Sequence, residues 1–340
     1  MIKMSVVVPI HGRVDLFKET LQCLECQTTK DFEIIITDDS NSEEERNQIK
    51  EAISNFKNKD INIKYIFTEP NLYQAKNTNQ GLKSAVGKYI RILHSDDIIA
   101  NNCIEKEIDF FEKNDDIDIL YHNFIEFSNI KDIIFKNKRE TKIEFINSKL
   151  WLNESIFTNT IIPSCLCFKK TMLEKVGGMY EDYRFLCDWK LFFDFLITSY
   201  EENKMLGCIS FGLVYYRVHN DNISNNLIFS HFFEHKDFIE KISKIYEEKN
   251  LLSNKKLLDN IYKATKYRFD RLKKNIKTKK NNRIYLKYIY ILLSQKYTWF
   301  NILFTIILLP LKIVKEILEF FSLADVYKER LKRSFIKFWK

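Results

Sequence analysis

Residues 32–40 read FEIIITDDS, an apolar, β-branched stretch that ends in two adjacent carboxylates, Asp38 and Asp39. A strand without polar alternation is typical of a parallel sheet that helices cover on both faces. Further predicted strands stand at 5–10 (SVVVPI), 61–68 and 88–93 (KYIRIL), with helical windows at 14–27 and 72–86. This alternation predicts a doubly wound α/β fold whose sheet is mostly parallel.

Polar side chains follow the predicted strands where each strand ends. They are His11, Gly12 and Arg13, then Asp38 and Asp39, then His94, Ser95, Asp96 and Asp97. Ligands of open α/β sheets bind outside the carboxyl ends of the strands, so we expect these side chains to share one site. Such carboxylates suit Mg²⁺ or Mn²⁺ bound together with substrate phosphates. The sequence lacks GxxxxGK[ST] and GxGxxG, which argues against P-loop and dinucleotide-binding proteins.

The next hundred residues are predicted to continue the sheet in a less regular rhythm. A helix is expected at 102–113, with strands near 117–121, 163–168 and 213–218. Thr171 and Glu174 have the spacing of a capping box that opens a short helix, which Gly177 and Gly178 should end. Asp188 stands where the N-cap of the following helix belongs.

The 340 residues divide into two parts of opposite charge. Residues 251–340 contain 22 Lys and Arg against 6 Asp and Glu, a net +16, whereas residues 1–250 contain 32 against 40, a net −8. The apolar stretch 297–311 is shorter than a spanning helix, which favours an interfacial, re-entrant or core-buried segment. The basic, aromatic end 327–340 fits a helix lying on anionic lipid. We expect a helical, basic appendage that associates with a membrane; packing on the body or on a second subunit is the alternative.

The seven cysteines do not form a zinc or disulfide pattern. Cys23 and Cys26 lie within a helical window without a second pair at zinc spacing, so we interpret them as core residues. The odd count and the absence of a signal peptide pattern favour a reducing cytoplasm.

Four separated motifs and two later ones occur in a characteristic order. They are SVVVPI at 5–10, the segment 27–40 ending in Asp38-Asp39-Ser40, Ala75-Lys76-Asn77 with Gly81, the segment 87–97 ending in HSDD, the segment 163–178, and Cys187-Asp188-Trp189 before Tyr216-Arg217-Val218-His219. In this order they closely resemble the inverting family-2 glycosyltransferases, from residue 3 to residue 220. The resemblance implies the GT-A fold, with a catalytic domain at 1–225 and the basic helical region at 226–340. Within the domain, 1–100 would bind the nucleotide and 101–225 the acceptor.

The resemblance also implies roles for individual residues. The nucleotide and donor sugar would contact Pro9, Ile10, Asp39, Lys76 and Asp96. A Mn²⁺ or Mg²⁺ ion would bind Asp97, joined by His219 as in some members, and the general base would be Asp188. His94 departs from the family pattern because many members carry an acidic residue there.

These roles agree with the chemistry of inverting sugar transfer. One carboxylate must accept the proton of the acceptor hydroxyl while the nucleoside diphosphate leaves from the opposite face. A divalent cation offsets the charge that develops on the leaving diphosphate. A carboxylate at a helix N-terminus is held in its charged form, ready to accept a proton.

We therefore expect a metal-dependent hexosyltransferase of class EC 2.4, using a nucleotide sugar, with UDP as the favoured nucleotide. The acceptor would be a saccharide or a polyprenyl- or lipid-linked saccharide in bacterial cell-surface polysaccharide biosynthesis. The protein would lie peripherally on the inner face of the cell membrane, without nucleic acid, and a homodimer is possible. Two alternatives stay open: a membrane or nucleic-acid adaptor that acts through the basic tail, and a sugar nucleotidyltransferase.

Overall fold

The computed structural model describes residues 2–68, 70–133, 141–155, 161–219, 228–249 and 251. The strands are β1 (Met4–Ile10), β2 (Phe32–Asp38), β3 (Asn62–Phe67), β4 (Tyr89–Ile92), β5 (Ile98–Ile99), β6 (Ile119–Phe127), β7 (Lys142–Asn147), β8 (Leu166–Lys169) and β9 (Met205–Arg217). The helices are α1 (Val14–Glu25), α2 (Glu43–Ser54), α3 (Tyr73–Ser84), α4 (Cys103–Lys113), α5 (Ser148–Ser155), α6 (Lys170–Val176), α7 (Cys187–Glu201) and α8 (Ile228–Glu248). The predictions for 252–340, including 297–311 and 327–340, lie outside the described residues.

The described strands form one mixed sheet in the order β3-β2-β1-β4-β8-β6-β9-β5, with β7 also paired to β9. The first four of these run parallel, as the apolar stretches predict. Beyond β4 the sheet is mixed: β8 is antiparallel to β4 and β6, whereas β9 is parallel to β6 and antiparallel to β5 and β7. The prediction of a mostly parallel sheet is therefore wrong for this half, because an apolar stretch indicates that a strand is buried and not its direction.

The local predictions after residue 160 have mixed outcomes. Residues 163–165 form a 3₁₀ turn that begins with Pro163, so β8 starts only at Leu166. The capping box of Thr171 and Glu174 is wrong, because α6 begins at Lys170 without a side-chain cap. Gly177 ends α6 as predicted, with a φ of 82° that suits glycine.

Two glycines let neighbouring elements approach closely. A Cβ on Gly87 would lie 2.6 Å from backbone atoms of Met4 and Ser5, and one on Gly81 would lie 2.4 Å from Val7 Cγ1. Gly81 thus packs α3 on the parallel strands, and Gly87 lets β4 enter the sheet beside β1. Both elements lead into or out of the strand ends that carry the polar motifs.

A buried ion pair lies beneath those strand ends. Arg91 of β4 donates to the Glu107 carboxylate of α4, and both side chains are fully buried. Burial alone would raise the pKa of Glu107, but Arg91 and His122 hold it below its ordinary value. The second guanidinium arm of Arg91 donates to the carbonyl of Ser164 at 2.5 Å. The pair therefore joins β4, α4 and the turn that precedes β8.

The α8 helix packs on the described part of the sheet domain. Phe238, Ile242 and Tyr246 are fully buried and belong to the hydrophobic core. The division of the chain at residue 225 stays a prediction. Within the described residues, no helix combines the length and apolar character needed to cross a membrane.

We predict that Glu107→Gln lowers the free energy of unfolding by about 3–5 kcal/mol, because it leaves the Arg91 charge buried without its counter-ion. Glu112→Gln is the matched control on the same helix, since Glu112 is 40% exposed and pairs with Lys3 and Lys88 at the surface. Its loss should cost about 1 kcal/mol or less. Urea denaturation of both variants measures the difference, and equal effects would contradict a stabilising role for the buried pair.

Candidate active site

The carboxyl ends of β2, β1 and β4 meet at one edge because these strands are neighbours in the sheet. Asp39 follows β2, the segment 11–13 follows β1, and the segment 94–97 follows β4. The backbone N–H of Asp39 donates to the carbonyl of Ile10 at 3.2 Å, which ties the first two ends together. The structure thus brings together polar motifs that lie far apart in the sequence.

Asp39 is held in place by groups from α3 and from the segment that follows β1. It is 2% exposed. One carboxylate oxygen lies 3.2 Å from Nδ2 of Asn77 and 3.1 Å from Nδ1 of His11, and the other accepts the backbone N–H of Tyr73 at 3.0 Å. The hydrogen bond with Asp39 raises the pKa of His11 above its ordinary value of 6.5. Asp39 is therefore oriented before any ligand arrives.

Pro9 and Ile10 present different groups to this edge. Pro9 is partly exposed, whereas the side chain of Ile10 is 1% exposed and belongs to the core. Ile10 takes part in the site through its carbonyl, which accepts a hydrogen bond from Nδ2 of Asn77 at 3.2 Å. A ligand at this edge would meet the backbone of Ile10 and not its side chain.

Asp96 is surrounded by nitrogen atoms. One of its carboxylate oxygens lies 3.1 Å from Nη1 of Arg13 and 3.1 Å from Nε2 of His219. Burial alone would raise the pKa of Asp96, but His94, Arg13 and His219 together lower it. Asp96 is therefore an ionised carboxylate whose side chain remains 13% exposed.

Asp97 has a different environment from its neighbour. It is fully buried, with one oxygen accepting from Oγ of Ser164 at 2.5 Å and the other from the backbone N–H of Arg217 at 2.9 Å. Burial and the adjacent Asp96 charge raise the pKa of Asp97 to about 8. Asp97 thus joins β4, β9 and the turn at 163–165.

The donor set of this cluster fits a divalent cation. A nitrogen of His94 and one oxygen each of Asp96 and Asp97 lie within 4.8 Å of one another. Asp97 is fully buried, whereas Asp96 is 13% exposed, so Asp96 is the more accessible carboxylate for an ion. Asp97 and His219 stay predicted metal ligands, and Nε2 of His219 lies 3.1 Å from a carboxylate oxygen of Asp96.

Asp188 lies on α7 and Lys76 on α3. Asp188 is the second residue of α7, whose N-cap is Leu186, so the prediction of an N-cap is wrong. Its Oδ1 accepts the backbone N–H of Trp189 at 2.7 Å. The carboxylate still lies in the first turn, where the helix dipole favours its charge. Lys76 is exposed on α3.

The segment before α7 reaches α3. Asn79 of α3 exchanges hydrogen bonds with the backbone of Met179, both at 2.9 Å. The guanidinium of Arg184 lies 4.0 Å from the ring centroid of Tyr73, whose N–H holds Asp39. The approach to Asp188 is thereby connected to the Asp39 site.

Three residues of the site were not singled out from the sequence: Tyr73, Ser164 and Arg184. Arg13, which was expected there because it follows the first strand, adopts the left-handed region with a φ of 50°. Ser164 lies within the quoted segment 163–178. Tyr73 and Arg184 had no signal, because a contact between a helix start and a distant loop leaves no periodic pattern.

The model of the glycosyl transferase family 2 matches residues 5–177, about half of the chain. The chain belongs to glycosyl transferase family 2. The predicted family is thus confirmed, and neither the adaptor nor the nucleotidyltransferase is supported. The mixed sheet with flanking helices is of the GT-A type.

Similar proteins include other glycosyltransferases. An uncharacterised glycosyltransferase of Rickettsia felis is 38% identical over 112 residues, covering 33% of this chain and 18% of the relative. The GalNAc(5)-diNAcBac-PP-undecaprenol beta-1,3-glucosyltransferase of Campylobacter jejuni is 33% identical over 104 residues, covering 30% of this chain and 32% of the relative. The chain thus spans less than a third of the length of these curated relatives.

A solved structure shares the fold. Residues 1–349 of S. aureus TarS in complex with UDP-GlcNAc superimpose with a TM-score of 0.55 at 20% identity, covering 77% of this chain and 71% of that one. At this identity the likeness shows the fold alone.

We predict that Asp39→Asn returns the pKa of His11 towards 6.5, because the hydrogen bond with Asp39 is the main cause of its rise. In the wild type, charged His11 stabilises the fold below pH 6.5, and this contribution is lost as the pH rises through the raised pKa. An NMR titration of ¹³C-labelled histidine measures both proteins. His122, whose pKa burial lowers, is the internal control and should not change. An unchanged His11 pKa in the variant would exclude Asp39 as the cause.

Proposed function

We propose that the protein is a metal-dependent inverting glycosyltransferase that moves a sugar from a nucleoside-diphosphate sugar to a saccharide or lipid-linked saccharide. The observation that carries this proposal is the meeting of Asp39 and Asp96 at one sheet edge, where both oxygens of Asp39 and one oxygen of Asp96 already make hydrogen bonds. Asp39 is suited to bind the base of a nucleotide, and Asp96 is suited to bind a cation at its diphosphate. Family membership supports the reaction class.

The nucleotide base would lie beside Asp39. An oriented carboxylate accepts the N3–H of a uracil ring, which favours UDP. His11 lies next to Asp39, and the backbone of Ile10 completes this edge. TarS, which shares the fold, has been solved with UDP-GlcNAc, and this supports the same nucleotide.

The cation that binds the diphosphate would be held by His94, Asp96 and Asp97, with His219 beside Asp96. A divalent cation at these residues would supply positive charge to the leaving diphosphate. An imidazole in place of a carboxylate favours a transition metal, so we propose Mn²⁺ over Mg²⁺. The guanidinium of Arg13 is within hydrogen-bond distance of Asp96 and can also donate to a phosphate oxygen.

Asp188 would act as general base towards the acceptor hydroxyl. Its place in the first turn of α7 favours the ionised form that must accept a proton. No acid is required at the leaving group, because the nucleoside diphosphate departs as a stabilised anion. Lys76, exposed on α3, would contact phosphate or sugar.

Nucleotide binding and transfer should be separable by mutation. We predict that UDP with Mn²⁺ raises the melting temperature of the wild type, because a ligand that binds only the native state stabilises it. Asp96→Asn should lose the Mn²⁺-dependent part of this rise. Asp188→Asn should keep it and lose sugar transfer by on the order of 10²–10⁴-fold. Thermal denaturation and a UDP-release assay with UDP-sugars measure the two effects.

The control is Asp194→Asn on the same helix, because Asp194 pairs with Lys190 and has no proposed part in the reaction. Transfer by this variant should match the wild type. Full transfer by Asp188→Asn would show that another group is the base. An unchanged response of Asp96→Asn to UDP and Mn²⁺ would show that the metal binds elsewhere.

We further propose that region 226–340 places the enzyme on the inner face of the cell membrane, in the cytoplasm, where a lipid-linked acceptor would be reached. The net +16 of residues 251–340 supports this placement. The Campylobacter relative is named for an undecaprenol-linked substrate, which supports an acceptor of this class in cell-surface polysaccharide assembly. A homodimer stays a prediction.

We predict that the full chain binds vesicles containing anionic phosphatidylglycerol and that added salt releases it, because salt screens surface charges. Replacing Lys332, Arg333, Lys337 and Lys340 by Gln should weaken binding by about 1 kcal/mol for each charge. Vesicle sedimentation measures the bound fraction, with neutral phosphatidylcholine vesicles as control. Equal binding to both kinds of vesicle would exclude electrostatic association.

A further inference from the structure

The carboxylate of Glu234, on α8, accepts hydrogen bonds from three consecutive backbone N–H groups. They belong to Arg184 at 2.8 Å, Phe185 at 2.8 Å and Leu186 at 3.1 Å. Leu186 is the N-cap of α7, and its own side chain makes no capping hydrogen bond. The approach to α7 is therefore held by a charged group from a helix about 50 residues further along the chain.

The same face of α8 makes further contacts on both sides of Asp188. Asp237 accepts the hydroxyl hydrogen of Tyr183 at 2.6 Å. The ring of Phe238 packs against Trp189, with 4.7 Å between the ring centroids. The residues before Asp188 are thus fixed by hydrogen bonds, and the residue after it by aromatic packing.

We propose that Glu234 is a positioning residue for Asp188, and that α8 thereby sets the geometry of the acceptor side; this inference rests on the proposed function. Three N–H groups in a row around one carboxylate leave the backbone at 184–186 little freedom. Asp188 follows two residues later, so the direction of its side chain depends on that backbone.

The held segment also reaches the nucleotide side. The backbone N–H of Arg184 donates to Glu234, while its guanidinium lies over the ring of Tyr73 at 4.0 Å. The N–H of Tyr73 donates to Asp39. Because His11 and Asn77 also hold Asp39, donor binding does not depend on this contact, and Glu234 connects a helix beyond the family match, which ends at residue 177, chiefly to the acceptor side.

A positioning role and a merely structural role predict different measurements. A displacement of a catalytic group by about 1 Å can lower the rate by on the order of 100-fold without changing the binding of the other substrate. If Glu234 positions Asp188, its loss lowers kcat and leaves donor KM unchanged. If it only stabilises the fold, its loss lowers the melting temperature and leaves kcat unchanged.

The experiment compares Glu234→Gln and Glu234→Ala in the full chain, with Glu247→Gln as the matched control, since Glu247 is exposed on the same helix. We expect kcat to fall by on the order of 10-fold in Glu234→Gln and 100-fold in Glu234→Ala, with donor KM and UDP binding within about twofold. Hydrogen exchange at 184–190 should become faster in both variants. Because glutamine keeps one accepting oxygen, Glu234→Gln should change kcat and hydrogen exchange less than Glu234→Ala does. Glu247→Gln should match the wild type.

Two outcomes would overturn the proposal. One is unchanged exchange at 184–190 in Glu234→Ala, whatever the activity. The other is a lower melting temperature with unchanged kcat. Failure of the proposed function gives a different result, namely a wild type that transfers no sugar from any nucleotide sugar. The exchange measurement still decides in that case whether Glu234 holds the backbone beside Asp188.

Discussion

The buried ion pair between Arg91 and Glu107 is the interaction on which the site depends. Because two charges in a core are costly unless each neutralises the other, the pair requires β4 and α4 to pack in one arrangement. Arg91 also donates to the carbonyl of Ser164. The hydroxyl of Ser164 in turn donates to Asp97 and accepts the backbone N–H of His94, at 2.5 and 2.9 Å. A hydrogen-bond chain thus runs from the core to the segment that carries Asp96.

The two sides of the candidate site are held by different means. Asp39 and Asp96 follow strands of one sheet, so the ladder hydrogen bonds of the sheet set their spacing directly. Asp188 lies on a helix whose approach is a loop, and its position depends on contacts from α3 and α8. Under the proposed function, the sheet would fix the carboxylates of the donor side, and the acceptor side would change with the elements that hold it. The cost is that the proposed base needs support from a distant helix.

The sequence predicted those structural features that depend on a single strand or a single motif. Unbroken apolar stretches predicted the parallel half of the sheet, and the spacing of the carboxylates predicted that Asp39 and Asp96 share an edge. It was less informative where the outcome depends on pairing between distant segments. Strand direction beyond β4, the start of α7 at Cys187 and the contact of Glu234 with 184–186 all follow from tertiary packing. Periodicity indicates which face is buried, and not which donor a carboxylate will meet.

Asp96 and Asp97 show how far neighbouring residues can differ. One faces three nitrogen-bearing side chains at the sheet edge, and the other is enclosed by Ser164 and the backbone of Arg217. Arg13 already neutralises Asp96 in the structure. Under the proposed function Arg13 can leave Asp96 at little cost only if it finds another anion, and the diphosphate of the donor is such an anion. The cation replaces Arg13 as the partner of Asp96, and the diphosphate replaces Asp96 as the partner of Arg13. Donor and cation should therefore bind more tightly together than either does alone.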